Sequence, residues 1–263
     1  MTPLGQAGLD ALRAHPARAV VALDYDGTLA PVVDRPVDAV PAPGAVAVLH
    51  ALATRVGVLA LVTGRPADVV VDLAGLQDVP GLVVLGQYGA QRWRDGALTG
   101  PGPVPGIARA RELVPDLIAG AGARLEDKGL SLVVHTRQSA DPHGALARLL
   151  PELAGLADRL GLEAHPGRLV VELRPPGFDK GGALRSLCDG PPGTGGPSAV
   201  VFAGDDVGDL PAFDAVDDLR RSGVPGLLVC SASDEGPPAL MARADLVVDG
   251  PAGVVALLAA LLP

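Results

Sequence analysis

Short aliphatic runs recur along the chain, and each ends in a polar residue or a glycine. In the first part of the chain they are "RAVVALD" at 18–24, "VGVLALV" at 56–62 and "GLVVLG" at 81–86. A segment with helical spacing, "PGAVAVLHALATR" at 43–55, separates the first two runs. Continuous apolar strands that alternate with helices predict a parallel sheet that is covered by helices on both faces.

The same pattern of buried strands returns near the C-terminus, at 198–204, 226–231 and 244–250. Residues 1–96 and 177–263 are therefore predicted to form one α/β core, a Rossmann-like doubly wound parallel sheet. A chain of 263 residues is long enough for this core and a second, smaller domain.

Residues 97–176 have a different pattern and are predicted to form an inserted α+β domain with an antiparallel sheet. Two helical segments each precede a pair of candidate strands. The helices are expected near 106–120 and 143–160, and the strands in "ARLEDKG", "LSLVVHTR", "GLEA" and "RLVVELRP". We expect the last pair to turn at His165-Pro166-Gly167, and the turn-rich segment after Trp93 to be a linker.

Polar side chains follow several of the predicted strands and open one predicted helix. They are Asp24 and Asp26 in "DYDGT", Thr63 in "VTGRP", Lys180 in "FDKGG", and Asp205, Asp206 and Asp209 in "GDDVGD". Ligands of open α/β sheets bind at the carboxyl ends of the strands, so these side chains are expected to lie together. Carboxylates without a nearby His or Cys suit Mg²⁺ better than zinc. Beside a Lys and a Thr, such a cluster suits phosphoryl transfer.

The charge and the cysteines limit the partners and the compartment. A net charge of −9 argues against nucleic acid or an anionic membrane as a partner. The apolar run that begins at Val254 is too short to span a bilayer. Cys188 and Cys230 lack metal-type spacing and are expected to be free thiols in a reducing cytoplasm. The oligomeric state is left open, with a monomer as the simplest expectation.

Together and in this order, the four motifs resemble those of the haloacid dehalogenase superfamily of aspartate-nucleophile phosphotransferases. The resemblance implies that Asp24 is the nucleophile, and that Asp26 is the general acid and then the general base. It also implies that Thr63 and Lys180 hold the phosphoryl group. Mg²⁺ would be bound by Asp24, the backbone carbonyl of Asp26 and Asp205, with Asp206 and Asp209 in support. The insert would be a C2-type cap that closes over the site and selects the substrate.

Sequence patterns in the insert make the resemblance more specific. "DYDGTLAPVVDRP", "TGRP", "LEDKGLSLVVHTR", "VVELRPPGFDKG" and "GDD" together resemble the trehalose-6-phosphate phosphatase family. The resemblance implies that Glu126, Lys128 and Glu172 bind the sugar phosphate, and that His135, Arg137 and Arg174 make further contacts. Thr63, Gly64 and Arg65 would form the phosphate loop, in which Arg65 orders the segment after Thr63.

Two places depart from the family pattern. Gly208 and Leu210 replace a Thr and an acidic residue late in the fourth motif, which bears on the support of the metal. "GQYGA" at 86–90 stands where Asn-His-Gly is common, near the expected cap hinge. Neither departure removes a primary catalytic group.

The resemblance predicts Mg²⁺-dependent hydrolysis of trehalose 6-phosphate through an aspartyl-phosphate. Two alternatives stay open. One is a capped phosphatase for another sugar phosphate, which should lack the Glu-Asp-Lys and "ELRP" patterns of the insert. The other is a non-catalytic phosphosugar sensor on the same fold, which has no need of the Asp24 and Asp26 pair.

Overall fold

The computed structural model describes residues 1–33, 35–189, 195–233 and 236–261. The chain divides into two compact units, Met1–Thr99 with Asp179–Pro263, and Gly100–Phe178. The predicted boundaries of the insert, 97 and 176, lie slightly earlier, because residues 97–99 form a strand in the sheet of the first unit.

The predicted elements follow one another in the expected order, and further elements are present at both ends of the chain and between the strand Val83–Gly86 and the insert. The strands are β1 (Val20–Leu23), β2 (Val58–Val62), β3 (Val83–Gly86), β4 (Gln91–Arg94), β5 (Ala97–Thr99), β6 (Arg124–Asp127), β7 (Leu132–His135), β8 (Glu163–Gly167), β9 (Val170–Arg174), β10 (Val200–Gly204), β11 (Gly226–Ala232) and β12 (Leu246–Asp249). The α-helices are α1 (Pro3–Ala14), α2 (Ala45–Ala53), α3 (Ala67–Ala74), α4 (Pro105–Ile118), α5 (Pro142–Leu160), α6 (Lys180–Cys188), α7 (Leu210–Arg221), α8 (Pro238–Arg243) and α9 (Gly250–Ala260).

The first unit is built on a sheet with the order β12-β11-β10-β1-β2-β3-β4-β5. All pairs from β12 to β3 are parallel. In β1, Val21 and Leu23 pack on one face of the sheet with α1, α2, α3 and α9, while Val20 and Ala22 pack on the other with α6, α7 and α8. Strands that are apolar on both sides therefore hold two helical layers, which confirms the predicted doubly wound core.

β4 and β5 extend this sheet as an antiparallel hairpin where the sequence predicted a linker. Asp95 and Gly96, both with positive φ, form the two-residue turn of the hairpin. The Asp-Gly pair inside "RWRDGALT" is the signal that could have revealed it.

The second unit has an antiparallel sheet of order β6-β7-β9-β8, as predicted for an α+β insert. One face of this sheet packs Val134 and Val171 against α4 and α5. The expected turn at residues 165–167 is wrong, because these residues lie in β8 and the chain turns at Arg168 and Leu169. Among the described residues, no helix is long and apolar enough to cross a membrane.

Candidate active site

Three neighbouring strands of the core end at the same edge of the sheet, and each is followed by a buried polar residue. Asp24 follows β1, Thr63 follows β2 and Asp205 follows β10. Their backbones continue the strand pairing, since Asp24 N donates to Ala203 O at 2.9 Å and Thr63 N donates to Leu85 O at 2.9 Å. The parallel order of the sheet thus brings together side chains that are far apart in sequence.

Lys180, the first residue of α6, joins two carboxylates in this cluster. Its Nζ lies 2.7 Å from Asp24 Oδ1 and 2.7 Å from Asp209 Oδ1. The other oxygen of Asp209 accepts hydrogen bonds from the backbone N–H groups of Asp205, at 2.9 Å, and Asp206, at 3.1 Å. Asp209 therefore holds Lys180 and the loop after β10 in one arrangement.

The cluster contains more negative charge than Lys180 balances. Burial, opposed by Lys180 and reinforced by neighbouring carboxylates, holds the pKa of Asp24 well above its usual range. Burial and the charges of Asp209 and Asp206 raise the pKa of Asp205 to about 7. Burial lowers the pKa of Lys180, but Asp209 and Asp24 outweigh it and hold that pKa above its usual value. A further cation in the cluster would favour the ionised carboxylates.

The carboxylates fit a hard divalent cation. Asp24, Asp205 and Asp209 each present an oxygen, and these oxygens lie within 4.8 Å of one another. Among the described residues, buried Asp205 Oδ1 has no hydrogen-bond partner. Both oxygens of Asp209 already accept hydrogen bonds, so Asp24 and Asp205 are the better ligands. An all-oxygen set of this kind suits Mg²⁺.

Gly27 makes the close approach of two of these loops possible. Its φ is +78°, and a Cβ built on it would lie 2.0 Å from Asp205 Oδ2. Ser231, at the end of β11, donates its hydroxyl hydrogen to Gly27 O at 2.6 Å. Sequence reasoning missed Ser231, because a serine in an apolar strand carries no signal of its contacts.

Asp26 is paired with Arg65 and does not join the carboxylate cluster through its side chain. Arg65 Nε and Nη2 donate to the two carboxylate oxygens of Asp26, each at 2.7 Å, and Nη1 donates to Pro36 O at 2.8 Å. The guanidinium also lies 5.8 Å from the centre of the Tyr25 ring. The Arg65 side chain thus fixes Asp26 and ties it to the segment at Pro36.

The segment after β3 supports the loop of Thr63, Gly64 and Arg65. Gln87 N donates to Arg65 O at 2.9 Å, and Tyr88 N donates to Thr63 O at 2.9 Å. Both residues have positive φ, which is uncommon for residues other than glycine. A Cβ built on Gly64 would lie 2.8 Å from the Tyr88 hydroxyl. The "GQYGA" departure therefore lies directly against the proposed phosphate loop.

Asp206 is exposed and has a local structural contact. Its Oδ1 accepts a hydrogen bond from Gly208 N at 2.8 Å, which caps the short 3₁₀ helix Val207–Asp209. Gly208, the first departure from the family pattern, therefore belongs to the turn that presents Asp209.

In the second unit, most of the predicted sugar-binding residues lie on the polar face of the sheet, opposite its helices. Glu126 and Glu172 are both directly opposite Val133, one on each side of it. His135 Nε2 lies 2.7 Å from Glu126 Oε2 and lowers the pKa of that carboxyl. Lys128 Nζ lies 3.7 Å from Glu172 Oε1.

The two remaining arginines have different surroundings. Arg174, at the end of β9, has Nη2 at 3.3 Å from His165 Nδ1. Arg137 is exposed and follows the end of β7.

Comparison with known proteins shows similarity of this chain to phosphatases. A sequence model of the trehalose-phosphatase family matches residues 22–239. A protein of Mycobacterium marinum named trehalose-phosphate phosphatase is 35% identical over 76% of this chain and 52% of its own. The C-terminal domain of Candida albicans trehalose-6-phosphate phosphatase has a TM-score of 0.78 at 19% identity, over 97% of this chain and 94% of its own. A haloacid dehalogenase-like hydrolase from Bacteroides thetaiotaomicron has a TM-score of 0.65 at 14% identity, over 92% of this chain and 98% of its own.

The structural likenesses show a common fold, that of the haloacid dehalogenase-like hydrolases. The curated relatives are longer than this chain, which spans from 16% to 60% of their length.

Proposed function

Because this chain belongs to the trehalose-phosphatase family, we propose that it hydrolyses trehalose 6-phosphate to trehalose and phosphate. One observation carries the proposal. Buried Asp24 has its Oδ1 2.7 Å from Lys180 Nζ, at the edge of the sheet where Thr63 and Asp205 also follow their strands. A nucleophilic carboxylate beside a cation suits attack on a phosphate ester.

In the first step, a carboxylate oxygen of Asp24 attacks phosphorus and the bond from phosphorus to the sugar oxygen breaks. Asp26 donates its proton to that oxygen, so trehalose leaves as the neutral alcohol. Lys180 and Thr63 bind the phosphoryl oxygens while charge develops on them. The products of this step are trehalose, an aspartyl-phosphate at Asp24 and an ionised Asp26.

In the second step, Asp26 accepts a proton from a water molecule while the water oxygen attacks phosphorus. The bond from phosphorus to Asp24 breaks, which releases phosphate and returns both carboxyl groups to their initial states. Because Arg65 donates to both oxygens of Asp26, the carboxyl must give up at least one of these bonds to reach the substrate.

Mg²⁺ is the proposed cofactor, held by Asp24, Asp205 and the backbone carbonyl of Asp26. When bound, it neutralises negative charge on the phosphoryl oxygens and on the carboxylates. Asp209 acts indirectly by holding Lys180, and Asp206 by capping the turn before Asp209.

The polar face of the second unit supplies the proposed sugar contacts. Carboxylates accept hydrogen bonds from sugar hydroxyl groups, whereas Lys and Arg donate them to phosphate or ring oxygens. The proposed residues are Glu126, Lys128, His135, Arg137, Glu172 and Arg174. The proposed location is the cytoplasm, where Cys188 and Cys230 stay reduced. The proposed oligomeric state is a monomer.

The test is to trap the intermediate. The protein is mixed with trehalose 6-phosphate and Mg²⁺, quenched in acid and digested, and its peptides are searched for a phosphoryl adduct. We expect the adduct on Asp24, and we expect Asp24→Asn to fold normally but to lose both adduct and turnover. Near-normal turnover of Asp24→Asn would sink the assignment of the nucleophile.

A further inference from the structure

Ser131 bonds to both Lys128 and Glu172, two residues of the proposed sugar site. It precedes β7 and is buried, with 2% of its surface exposed. Its hydroxyl donates to Glu172 Oε1 at 2.7 Å, and its backbone carbonyl accepts a hydrogen bond from Lys128 N at 3.0 Å.

Glu172 needs such a contact because its carboxylate is buried, with only 6% of the residue exposed. A buried carboxylate is costly unless it is hydrogen-bonded or paired. The residue directly opposite Glu172 on β7 is Val133, which offers no polar side chain. Ser131 lies two residues before Val133, which is the diagonal position on the same face of the sheet.

Lys128 lies in the turn between β6 and β7, which is fixed through Asp127 at its start. Asp127 pairs with Arg111 of α4, and its Oδ1 accepts a hydrogen bond from Gly129 N at 2.8 Å. Inside the turn, Ser131 closes the backbone pairing to Lys128. The ammonium of Lys128 and the hydroxyl of Ser131 both approach Glu172 Oε1, so this oxygen is shared by the two groups.

We propose that Ser131 is a positioning residue that determines sugar specificity, because it fixes the carboxylate of Glu172 relative to Lys128. The inference rests on the proposed function and deepens it. Ser131 has no proposed contact with the reacting atoms. Loss of its hydroxyl should therefore affect recognition of the sugar and leave phosphoryl transfer intact.

The test is Ser131→Ala in the full chain, with trehalose 6-phosphate and p-nitrophenyl phosphate as substrates. We expect KM for trehalose 6-phosphate to rise about tenfold, because the Glu172 carboxylate loses the hydrogen bond from Ser131 that fixes it. We expect kcat to change little. Turnover of p-nitrophenyl phosphate, which has no sugar, should stay within about twofold, which also shows that the variant is folded.

Thr136→Val is the matched control. Thr136 follows β7 as Ser131 precedes it and is equally buried, and its hydroxyl donates to Leu169 O at 3.1 Å rather than to Glu172 or Lys128. We expect this variant to keep the wild-type KM. An equal rise of KM in both variants would show that the loss of any buried hydroxyl in this sheet has the same effect, and would overturn the role of Ser131.

Two further variants sharpen the test. In a Glu172→Gln background, Ser131→Ala should add little to KM, because the two residues act as one unit. Ser131→Cys, which keeps a similar size but is a weak donor, carries the test if Ser131→Ala does not fold, and should also raise KM. If the increases in KM caused by Ser131→Ala and by Glu172→Gln multiply in the double variant, the two residues act independently and the inference is contradicted.

The wild-type chain separates this inference from the proposed function. If it hydrolyses p-nitrophenyl phosphate but shows no preference for trehalose 6-phosphate over other sugar phosphates, the proposed substrate is wrong, and the specificity role of Ser131 with it. If the preference is present and Ser131→Ala retains it with unchanged KM, the proposed function stands and the role of Ser131 is wrong.

Discussion

Arg65 holds both carboxylate oxygens of Asp26, through Nε and Nη2 at 2.7 Å each. The same guanidinium reaches Pro36 O, and the Tyr25 hydroxyl donates to Ala39 O, so the segment after the first motif is tied to this pair. The proposed acid and base of the reaction is thus paired with a cation in this structure. The acid and base function of Asp26 therefore depends on the orientation that Arg65 gives to its carboxyl group.

Arg65→Ala should slow the hydrolysis of trehalose 6-phosphate by at least about tenfold in kcat, since a misplaced general acid loses much of its effect. In kcat/KM, which reports on the first step alone, an activated ester such as 2,4-dinitrophenyl phosphate should be affected much less, because its leaving group departs without a proton. The values of kcat/KM for the two esters make the comparison, since the second step needs Asp26 for both. Arg35→Ala, which removes an exposed arginine of the same segment, is the control and should leave both rates unchanged. Equal losses on the two esters would argue against a role through Asp26.

Gly27→Ala should abolish activity, because its Cβ would lie 2.0 Å from Asp205 Oδ2 and push this carboxylate away. Gly81→Ala is the matched control, since Gly81 also has a positive φ but has open space around it. Backbone strain should cost each variant about 1–2 kcal/mol of unfolding free energy, measured by urea denaturation, and Gly27→Ala should lose more because of its clash with Asp205. Only Gly27→Ala should lose turnover, and an active Gly27→Ala would refute the close approach of the two loops.

Lys180→Met should be inactive and less stable by about 3–5 kcal/mol, because it leaves two buried carboxylates without their cation. Chemical denaturation at neutral pH in the presence of a chelator measures this loss. Arg185→Met, on the same helix, removes an exposed partner of Asp218 and should change the free energy of unfolding by less than about 1 kcal/mol. Equal stability of the two variants would contradict the buried ion pairs of Lys180.

In the presence of a chelator, stability should fall as pH rises from about 4 to about 7. The folded chain keeps the proton of Asp205 up to about pH 7, whereas the unfolded carboxyl releases it near 3.8. Because the folded state binds more protons in this window, the free energy of unfolding decreases with pH, and the raised pKa values of Asp24 and Asp209 act in the same direction. Thermal melts across the window measure the slope.

Asp205→Asn should flatten that slope. Mg²⁺ should stabilise the wild type more at about pH 8 than at about pH 5, because its ligands must be ionised. An identical pH profile in the wild type and Asp205→Asn would show that Asp205 does not titrate as its burial implies.

The strand-end cluster could be predicted from sequence because parallel strands bring residues that follow them to one edge. The order of the buried runs, and the polar residue that follows each run, suffice to predict that Asp24, Thr63 and Asp205 lie together. The contacts of Lys180 with Asp24 and Asp209 then follow from the helix that it opens.

Features that depend on contacts between distant loops could not be predicted in this way. The pairing of Asp26 with Arg65, and the hydrogen bond from Ser231 to Gly27, depend on side-chain directions that periodicity does not contain. The sequence predicts the hairpin turn at His165-Pro166-Gly167 because Pro and Gly usually mark turns. In the structure the edge strand β8 accommodates both residues, as a proline at a sheet edge allows.

The most direct test of the account is phosphate release from a panel of trehalose, sucrose, glucose and mannose phosphates, each with Mg²⁺ and with a chelator. We expect kcat/KM to be highest for trehalose 6-phosphate by at least about tenfold, and turnover to require Mg²⁺. Equal rates across the panel, or full activity in the chelator, would contradict the central claim.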